Sequence, residues 1–238
     1  MNIALIGYGK MGREIEKIAL KRGHSISLKI DIANMAELTV ANLKDTDVAI
    51  EFTSPESAYR NYLLCFGAGV PVVSGTTGWQ SKLQEIETIC KKDKNGFFWA
   101  SNFSLGVNLF FLINNKIAEI MNKFPEYDIA IEDIHHNNKL DAPSGTAITL
   151  AEGILKEINR KKDWVLNEFK SVQSLQIVAK RIGEVPGTHI VTYDSEVDSI
   201  EITHTAKGRR GFALGAVLAA EFMKGKTGVY GMKDLLNL

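Results

Sequence analysis

The sequence Asn2-Ile-Ala-Leu-Ile-Gly-Tyr-Gly-Lys-Met-Gly12 decides the fold of the first part of the chain. Its mostly apolar start predicts a strand, and the three glycines have the spacing G-x-G-x-x-G. Arg13 to Arg22 then places Ile15, Ile18 and Ala19 on one face of a helix. Strand, glycine loop and helix in this order are typical of a dinucleotide site. The glycines permit a tight turn, and the helix N-terminus attracts the diphosphate.

An acidic residue stands at the distance expected for such a site. Asp31 lies near the end of the second predicted strand, Ser25 to Ile32, about 20 residues beyond the glycines. A carboxylate here can accept hydrogen bonds from a ribose 2′-hydroxyl and would repel a 2′-phosphate. The alternative is a glycine-rich turn in another kind of α/β protein.

Strands and helices continue to alternate up to residue 100. This order predicts an α/β fold with a Rossmann-type doubly wound parallel sheet, whose ligands bind beyond the carboxyl ends of the strands. The further predicted strands are Asp47–Phe52, Val70–Ser74 and Gly96–Ala100, and the helices run from Pro55 towards Gly67 or Gly69 and from Trp79 to Lys94. The loops at the strand ends are Gly7–Gly12, Asp31, Phe52–Ser54, Gly75–Gly78 and Ser101–Phe103.

The pattern changes after Asn102. Ser104–Phe124 predicts a helix that is apolar over most of its circumference and therefore buried between layers. The following elements predict an inserted α+β domain dominated by hairpins. They are the strands Tyr127–His136, Leu175–Ile182, His189–Ser195 and Val197–Thr205, and the helix Ser144–Arg160. The last helices, Gly211–Lys224 and Met232–Leu236, are assigned to the first sheet. The predicted domains are thus 1–103 with 208–238 for the dinucleotide, and 104–207 for substrate and oligomer contacts.

The composition excludes several classes of protein. Among 238 residues, 28 Lys and Arg balance 28 Asp and Glu, which argues against broad nucleic-acid or membrane binding. The chain starts without a basic leader, and no apolar run approaches the roughly 18 residues of a membrane span. Cys65 and Cys90 fall in predicted helices and are expected to be buried thiols. A cytoplasmic protein is the expectation.

The loop between the predicted strand ending at His136 and the next helix is rich in reactive groups. It reads Glu132-Asp-Ile-His-His-Asn-Asn-Lys-Leu-Asp-Ala-Pro-Ser-Gly-Thr-Ala147. In a regular strand, His135 and His136 point to opposite faces, so one of them faces a given ligand. Histidine transfers protons near neutral pH, and Lys139 adds a positive charge.

The helix start in this loop predicts an anion site. Ser144, Gly145 and Thr146 offer backbone N–H groups at a helix N-terminus, which binds carboxylates or phosphates. The implied ligand is an anionic small molecule beside which a proton is transferred.

Plainer interpretations of the loop remain open. The histidine pair is more often structural than catalytic, and Ser-Gly-Thr is often a simple helix cap. Zinc would need a third ligand, and no metal spacing is present, so no metal is expected. The candidates for that third ligand are Glu132, Asp141, His189 and His204.

Five segments together resemble one family. Besides Glu132–Ala147, they are Gly75-Thr-Thr-Gly78, Ser101-Asn-Phe-Ser-Leu-Gly-Val-Asn108, Arg181-Ile-Gly-Glu-Val-Pro-Gly-Thr-His189 and Ile202-Thr-His-Thr-Ala-Lys-Gly-Arg209. The chain resembles the bacterial 4-hydroxy-tetrahydrodipicolinate reductases (dihydrodipicolinate reductases) of lysine biosynthesis through diaminopimelate. The segments occur in family order and span almost the whole chain.

The resemblance implies a fold and a reaction. Family members have a Rossmann domain that holds NADH or NADPH, and an inserted substrate domain that also builds a homotetramer. A hydride passes to the ring of a cyclic imine dicarboxylate. By position, His135 resembles the acid that protonates the ring, and Lys139 a second catalytic or carboxylate-binding residue. The expected substrate contacts are His136, Lys139, Ser144, Gly145 and Thr146.

The resemblance also extends the predicted cofactor site. Gly75–Gly78 and Ser101–Phe103 would hold the nicotinamide end, and Arg209 would bridge the cofactor and domain closure. The complete predicted set is Gly7, Tyr8, Gly9, Lys10, Met11, Gly12, Asp31, Phe52, Thr53, Gly75, Thr76, Thr77, Ser101, Asn102, Phe103 and Arg209.

Two departures and two rival functions complete the prediction. The stretch Asn34–Asp47 is shorter than in many family members, and Ile32 follows Asp31 where many have an arginine that meets a 2′-phosphate. The sequence therefore favours NADH, with NADPH as the alternative. One rival is another NAD(P)-dependent Rossmann dehydrogenase, which has no need of the His-His-x-x-Lys loop. The other is a dinucleotide-sensing regulator, which would require a basic DNA-reading helix.

Overall fold

The computed structural model describes residues 1–237 and divides into two compact units. The first unit contains Met1–Ser104 and the segment that starts at Arg209, and the second contains Leu105–Gly208. The strands are β1 (Asn2–Ile6), β2 (Ser25–Ile30), β3 (Val48–Glu51), β4 (Val72–Ser74), β5 (Gly96–Trp99), β6 (Asp128–His135), β7 (Asp163–Leu166), β8 (Ser174–Arg181), β9 (Thr188–Asp194), β10 (Ser199–Thr205) and β11 (Gly228–Tyr230). The helices are α1 (Lys10–Lys21), α2 (Pro55–Gly67), α3 (Leu83–Asp93), α4 (Leu105–Met121), α5 (Gly145–Glu157), α6 (Arg210–Met223) and α7 (Met232–Leu236).

The sheet of the first unit has six parallel strands in the order β11-β5-β4-β3-β1-β2. The chain leaves β1 for β2 on one side and returns to β3 on the other side. The carboxyl ends of β1 and β3 therefore border the crevice where such sheets bind ligands. The predicted doubly wound parallel sheet is confirmed. The short edge strand β11 was not predicted, because only Val229 and Tyr230 in it favour a strand.

Helices cover both faces of this sheet. Alternate strand residues such as Ala4 and Ala49 pack in one cluster with side chains of α2 and α3. On the other face, α6 lies against β3, β4 and β5 and packs beside α1. Cys65 and Cys90 are buried free thiols in α2 and α3, which confirms their predicted place.

The sheet of the second unit is mixed, in the order β10-β9-β6-β8-β7. β9 and β10 form a hairpin, and β9 also pairs antiparallel with β6. The β6–β8 and β7–β8 pairs are parallel, so the prediction of a hairpin-dominated unit is only partly correct. The chain reaches β8 from β6 through α5, the long crossover that parallel pairing requires. Strand β7 was missed because its four residues are half-buried and show no alternation.

Helix α4 does not have the burial predicted from its sequence. One face packs on α5 and the sheet, while the opposite face carries exposed apolar side chains. The prediction of a helix buried between layers is wrong for this chain by itself, because the unit's sheet lies on only one side of α4. The buried positions are Val107, Phe110, Asn114, Ala118 and Met121. The exposed ones are Leu109, Leu112, Ile113 and Ile120, each 44–48% exposed.

The ends of several elements differ from the predicted ones. Helix α1 starts at Lys10 rather than Arg13, and α5 ends at Glu157 rather than Arg160. Such shifts are expected because helix ends depend on capping contacts that periodicity does not reveal. In the described part of the chain, no helix combines the length and apolar character needed to cross a membrane.

Candidate functional site

The three glycines after β1 differ in what a side chain at each position would contact. Gly7 adopts φ 98°, and a Cβ on it would lie 1.9 Å from the carbonyl oxygen of Phe52. A Cβ on Gly12 would lie 2.5 Å from the Gly7 oxygen, so Gly12 lets α1 pack against the turn. A Cβ on Gly9 would meet no atom within 4 Å. The backbone at Gly9 is therefore open to a ligand, directly before the N-terminus of α1 at Lys10.

Two cavities lie on either side of this glycine turn. The threonine cavity, of about 500 Å³, is lined by Gly7, Gly9, Lys10, Met11, Phe52, Thr53, Pro55, Gly75, Thr76 and Thr77. The Asp31 cavity, of about 470 Å³, is lined by Gly7, Gly9, Ile30, Asp31, Ile32, Met35, Phe52, Thr53, Ser54 and Ser57. The shared lining of Gly7, Gly9, Phe52 and Thr53 shows that the cavities are neighbours. Most residues of the predicted cofactor set are thus brought together at the carboxyl edge of the sheet.

Asp31 is held in place by a short capping arrangement. Its side chain accepts a hydrogen bond from the Ile32 N–H at 2.7 Å. Its own N–H donates to Asn34 Oδ1, also at 2.7 Å. These contacts end β2 at Ile30 and start a 3-10 turn, which explains why the predicted strand to Ile32 is too long. Asp31 lines its cavity, and its carboxylate keeps further capacity to accept hydrogen bonds.

Tyr8 is engaged with charged side chains. Its hydroxyl donates to Glu16, which also forms an ion pair with Lys29 at 2.7 Å. The Tyr8 ring lies 5.2 Å from both the Lys29 ammonium and the Arg13 guanidinium. Lys29, together with the Tyr8 hydroxyl, lowers the pKa of Glu16. The structure thus places the Tyr8 side chain in a charged cluster rather than in the lining of either cavity.

The remaining four predicted cofactor residues do not line the two cavities. Phe103 is buried, with its ring 5.6 Å from that of Phe52. Asn102 Oδ1 accepts a hydrogen bond from the Ser104 N–H at 2.9 Å. Ser101 is exposed, and so is Arg209, which precedes α6. Phe103 supports the cavity wall through Phe52, which is a packing role that the sequence did not distinguish from ligand contact.

Sequence reasoning missed a buried carboxylate behind the threonine cavity. Glu51, the last residue of β3, is completely buried and accepts hydrogen bonds from the hydroxyls of Thr53, Ser74 and Thr76. The distances are 2.8 Å from Ser74 and 3.0 Å from Thr76. Burial raises the pKa of Glu51, and the hydroxyls partly offset this rise. The available signal was a charged residue within an apolar strand, directly before a predicted ligand loop.

In the second unit, Asp133 organises the loop that the sequence singled out. It lies two residues before His135 on β6, so both side chains point to the buried face. Asp133 accepts hydrogen bonds from the Ser144 N–H at 2.8 Å and the Ser144 hydroxyl at 2.7 Å. His135 Nδ1 lies 3.0 Å from its carboxylate, and His189 Nε2 lies 3.2 Å away. Asp133 was not predicted, although the alternation of β6 placed it beside His135.

The charge of Asp133 is strongly stabilised. Burial alone would raise the pKa of its carboxyl, but the contacts from His135, His189 and Ser144 outweigh burial and hold it well below its usual range. Arg181 adds a guanidinium nitrogen 3.8 Å from the carboxylate. An anion fixed beside His135 orients its ring.

The structure shows where the candidate metal ligands lie. Ligand atoms of Asp133, His135 and His189 lie within 4.8 Å of one another, which is close enough for a shared ion. The two Ser144 hydrogen bonds already use this carboxylate, which gives Asp133 a role that needs no metal. The absence of a metal stays a prediction. Of the other candidates, Glu132 pairs with Lys180, Asp141 pairs with Lys139, and His204 packs on Phe110.

The two histidines of the loop differ in burial. His135 is 8% exposed, whereas His136, just beyond the end of β6, is half-buried. His135 Nε2 lies 3.0 Å from the position that a Cβ on Gly187 would take. A glycine at 187 therefore leaves room beside the ring nitrogen that does not face Asp133. Lys139 Nζ contacts both carboxylate oxygens of Asp141 at 2.8 Å and lowers the pKa of Asp141.

The anion site at the start of α5 is smaller than predicted. The Ser144 N–H donates to Asp133, and its hydroxyl caps the helix by accepting from the Ala147 N–H. Ser144 is thus committed to the protein, and its predicted ligand contact is not supported. Within residues 1–237, the amides of Gly145 and Thr146 have no hydrogen-bond partner. Gly145 is exposed, with open space where a Cβ would stand.

Comparisons with known proteins agree with this architecture. The family model described as dihydrodipicolinate reductase, N-terminus, matches residues 1–103, and its C-terminus counterpart matches residues 106–236. A 4-hydroxy-tetrahydrodipicolinate reductase of Christiangramia forsetii is 52% identical over 100% of this chain and 98% of its own length. The enzyme of that name from Neisseria meningitidis serogroup B is 36% identical over 94% of this chain and 84% of its own length.

A solved structure shows the same fold. It is a dipicolinate-bound dihydrodipicolinate reductase from Paenisporosarcina sp. TG-14, with a TM-score of 0.78 and 23% identity. The match covers 98% of each chain. The two family models together account for nearly the whole sequence, and the curated relatives match it almost end to end. This chain therefore belongs to the dihydrodipicolinate reductase family.

Proposed function

We propose that this protein is an oxidoreductase that reduces 4-hydroxy-tetrahydrodipicolinate to tetrahydrodipicolinate with NAD(P)H, the 4-hydroxyl leaving as water, in lysine biosynthesis through diaminopimelate. The observation that carries the proposal is the near full-length identity of 52% to a curated reductase of that name. The geometry supports it, since a dinucleotide-sized pair of cavities and a buried histidine–carboxylate pair stand in the predicted segments.

The first unit suits a dinucleotide. Gly9 and the start of α1 would hold the diphosphate, and Asp31 would accept hydrogen bonds from the ribose hydroxyls. The threonine cavity is then left for the nicotinamide half. When bound, the reduced nicotinamide supplies the hydride. The Asp31 carboxylate would repel a 2′-phosphate, so we expect NADH to be preferred over NADPH.

The second unit suits the proton transfer. His135 directs Nδ1 at Asp133, which leaves Nε2 to protonate the substrate ring. The amides of Gly145 and Thr146 would bind one carboxylate of the substrate. Lys139 would bind a carboxylate by exchanging its contact with Asp141, and His136 would flank the ligand. The substrate is thus expected to be a small cyclic dicarboxylate.

The proposal extends to assembly and compartment. A homotetramer would cover apolar side chains of α4, of which Ile113 and Ile120 are both 48% exposed. Analytical ultracentrifugation of the full chain tests this, and a monomer at micromolar concentration would contradict it. The cytoplasm is the proposed compartment because Cys65 and Cys90 are buried free thiols.

A coupled assay tests the activity. Purified protein receives enzymatically generated substrate and either NADH or NADPH, and loss of absorbance by the reduced cofactor is followed. We expect oxidation with NADH at the higher kcat/KM. Absence of oxidation with both cofactors would contradict the function, and direct binding of cofactor without turnover would favour the dinucleotide sensor.

The variant His135→Gln tests the assigned acid. Removal of a general acid lowers turnover by about 10²–10⁴-fold, with a smaller effect on KM because the proton is transferred in the transition state. Thermal unfolding serves as the control for an intact fold. Turnover at the wild-type level would remove His135 from the acid role.

A further inference from the structure

The Glu51 carboxylate is surrounded by hydroxyl groups whose directions are fixed by other donors. The Thr53 N–H donates to Thr76 Oγ1 at 2.8 Å, and Asn61 Nδ2 donates to Thr53 Oγ1 at 3.3 Å. The Thr76 N–H donates to Ser74 Oγ at 3.3 Å. An N–H group can only donate a hydrogen bond. Each of the three hydroxyl oxygens therefore accepts a hydrogen bond from an N–H group and can donate its own proton to Glu51. Three hydroxyl protons directed at one carboxyl stabilise its ionised form.

This negative charge has no cationic partner. Among residues 1–237, no lysine, arginine or histidine forms an ion pair with Glu51. Tyr62 extends the network from the far side, with its hydroxyl 2.7 Å from Ser74 Oγ. A buried and uncompensated carboxylate is costly to a fold, and such groups concentrate at functional sites.

The charge stands directly behind the wall of the threonine cavity. Thr53 and Thr76 line that cavity and donate their hydroxyl protons to Glu51, so one hydroxyl group separates the carboxylate from the cavity lining. With the diphosphate at Gly9 and a ribose at Asp31, this cavity takes the nicotinamide half of the cofactor. The oxidised nicotinamide ring carries a positive charge, whereas the reduced ring is neutral.

The geometry points to Glu51 as a positioning residue that fixes the Thr53 and Thr76 hydroxyls in the cavity wall and whose charge favours the oxidised cofactor over the reduced one. This inference rests on the proposed function. It deepens that function by assigning the balance between NAD⁺ and NADH binding to one buried side chain. A negative charge close to the ring, at low effective dielectric, interacts with the cationic form and leaves the neutral form almost unaffected.

Isothermal titration calorimetry of the full chain with NAD⁺ and with NADH tests the inference. In Glu51→Gln, which keeps the side-chain shape, we expect the ratio Kd(NAD⁺)/Kd(NADH) to rise about tenfold. Glu51→Met, which is neutral and unbranched, is expected to raise the same ratio. Glu51→Asp keeps the charge but shortens the reach to Thr53 and Thr76, so both affinities should fall while the ratio stays near the wild-type value.

Tyr62→Phe is the matched control. It removes a hydroxyl from the far end of the same network and keeps the Glu51 carboxylate, so the ratio is expected to stay unchanged. Equal losses of NAD⁺ and NADH affinity in Glu51→Gln would overturn the charge effect. If Glu51→Asp folds but Glu51→Gln and Glu51→Met do not, this would also count against the charge effect. The carboxylate would then be required only for folding. Wild-type protein that binds neither NADH nor NADPH would contradict the proposed function instead.

Discussion

Glu51 in the first unit and Asp133 in the second are both completely buried carboxylates, yet their pKa values move in opposite directions. Both lie on strands beside a candidate site, and both accept hydrogen bonds from hydroxyl groups. Asp133 also contacts two imidazoles and accepts from a backbone N–H. Glu51 has hydroxyl donors on its carboxylate, and burial dominates its pKa.

The difference separates two uses of buried charge. At Asp133 the anion contacts two imidazoles, so it orients the ring that is proposed to transfer a proton. At Glu51 the anion has no such partner within the described chain, so its field remains available to a ligand in the adjacent cavity. Burial alone therefore does not reveal the role of a carboxylate, because the donors that face it decide that role.

The largest effect is expected for Asp133→Asn. The amide would place an N–H group against donors from Ser144, His135 or His189. We expect a loss of about 1–3 kcal/mol in the free energy of unfolding, from the unsatisfied donors. Turnover should fall by about 10²-fold or more, because His135 loses the anion that orients it. Urea unfolding and initial rates with saturating cofactor measure the two effects.

Asp194→Asn is the control for this change. Asp194 lies at the end of β9 in the same sheet but is exposed, so the substitution should leave both quantities nearly unaltered. Asp133→Asn with wild-type turnover would show that His135 is oriented by other contacts. A comparable loss in both variants would point to a general sensitivity of the sheet.

A smaller effect is expected in the pH dependence of stability, where Asp133 and Glu51 should act in opposite directions. The pKa of Asp133 is lowered in the folded state, so its stabilising contribution is present above its ordinary value of 3.8 and is lost as pH falls below it. The pKa of Glu51 is raised, so its contribution is present below the ordinary value of 4.5 and is lost as pH rises through the folded pKa.

Urea unfolding across pH measures this contrast in two variants. The deficit of Asp133→Asn relative to wild type should shrink as pH falls below 3.8. Glu51→Gln should become more stable relative to wild type as pH rises above 4.5. The titratable groups near Glu51 do not interfere, because burial also raises the pKa of Tyr62 and brings that of Cys65 to about 12. If the stability of both variants relative to wild type changed in the same direction with pH, the contrast between Asp133 and Glu51 would be contradicted.

The fold was largely predictable because its signals are local. The glycine loop, the alternation of short apolar strands with helices and the position of Asp31 fixed the parallel sheet of the first unit. The errors arose where tertiary packing decides. The apolar circumference of α4 indicated burial on all sides, but only the face with Phe110 and Met121 meets the core. The parallel pairing of β7 with β8 depends on contacts between distant segments, which periodicity cannot show.

The sequence indicated the reactive groups of the candidate site but not the buried carboxylates beside them. His135, Lys139 and the start of α5 are marked by residue type within one loop. Asp133 and Glu51 were not recognised from the sequence, since a carboxylate in a strand normally indicates a solvent-facing position. Ser144 shows the converse case, because its place at a helix start suggested ligand contact, whereas its N–H and hydroxyl donate to Asp133.

The smallest effect is expected at an exposed carboxylate. Asp141 pairs with Lys139 at 2.8 Å, but its side chain is 62% exposed. Asp141→Asn should change the free energy of unfolding by less than about 0.5 kcal/mol, because water screens such a pair. It should also lower the KM for substrate, since Lys139 no longer has to exchange a protein carboxylate for one on the ligand. Lys139→Ala is the matched variant and should raise KM. A large loss of stability in Asp141→Asn would show that pairing matters as much as burial.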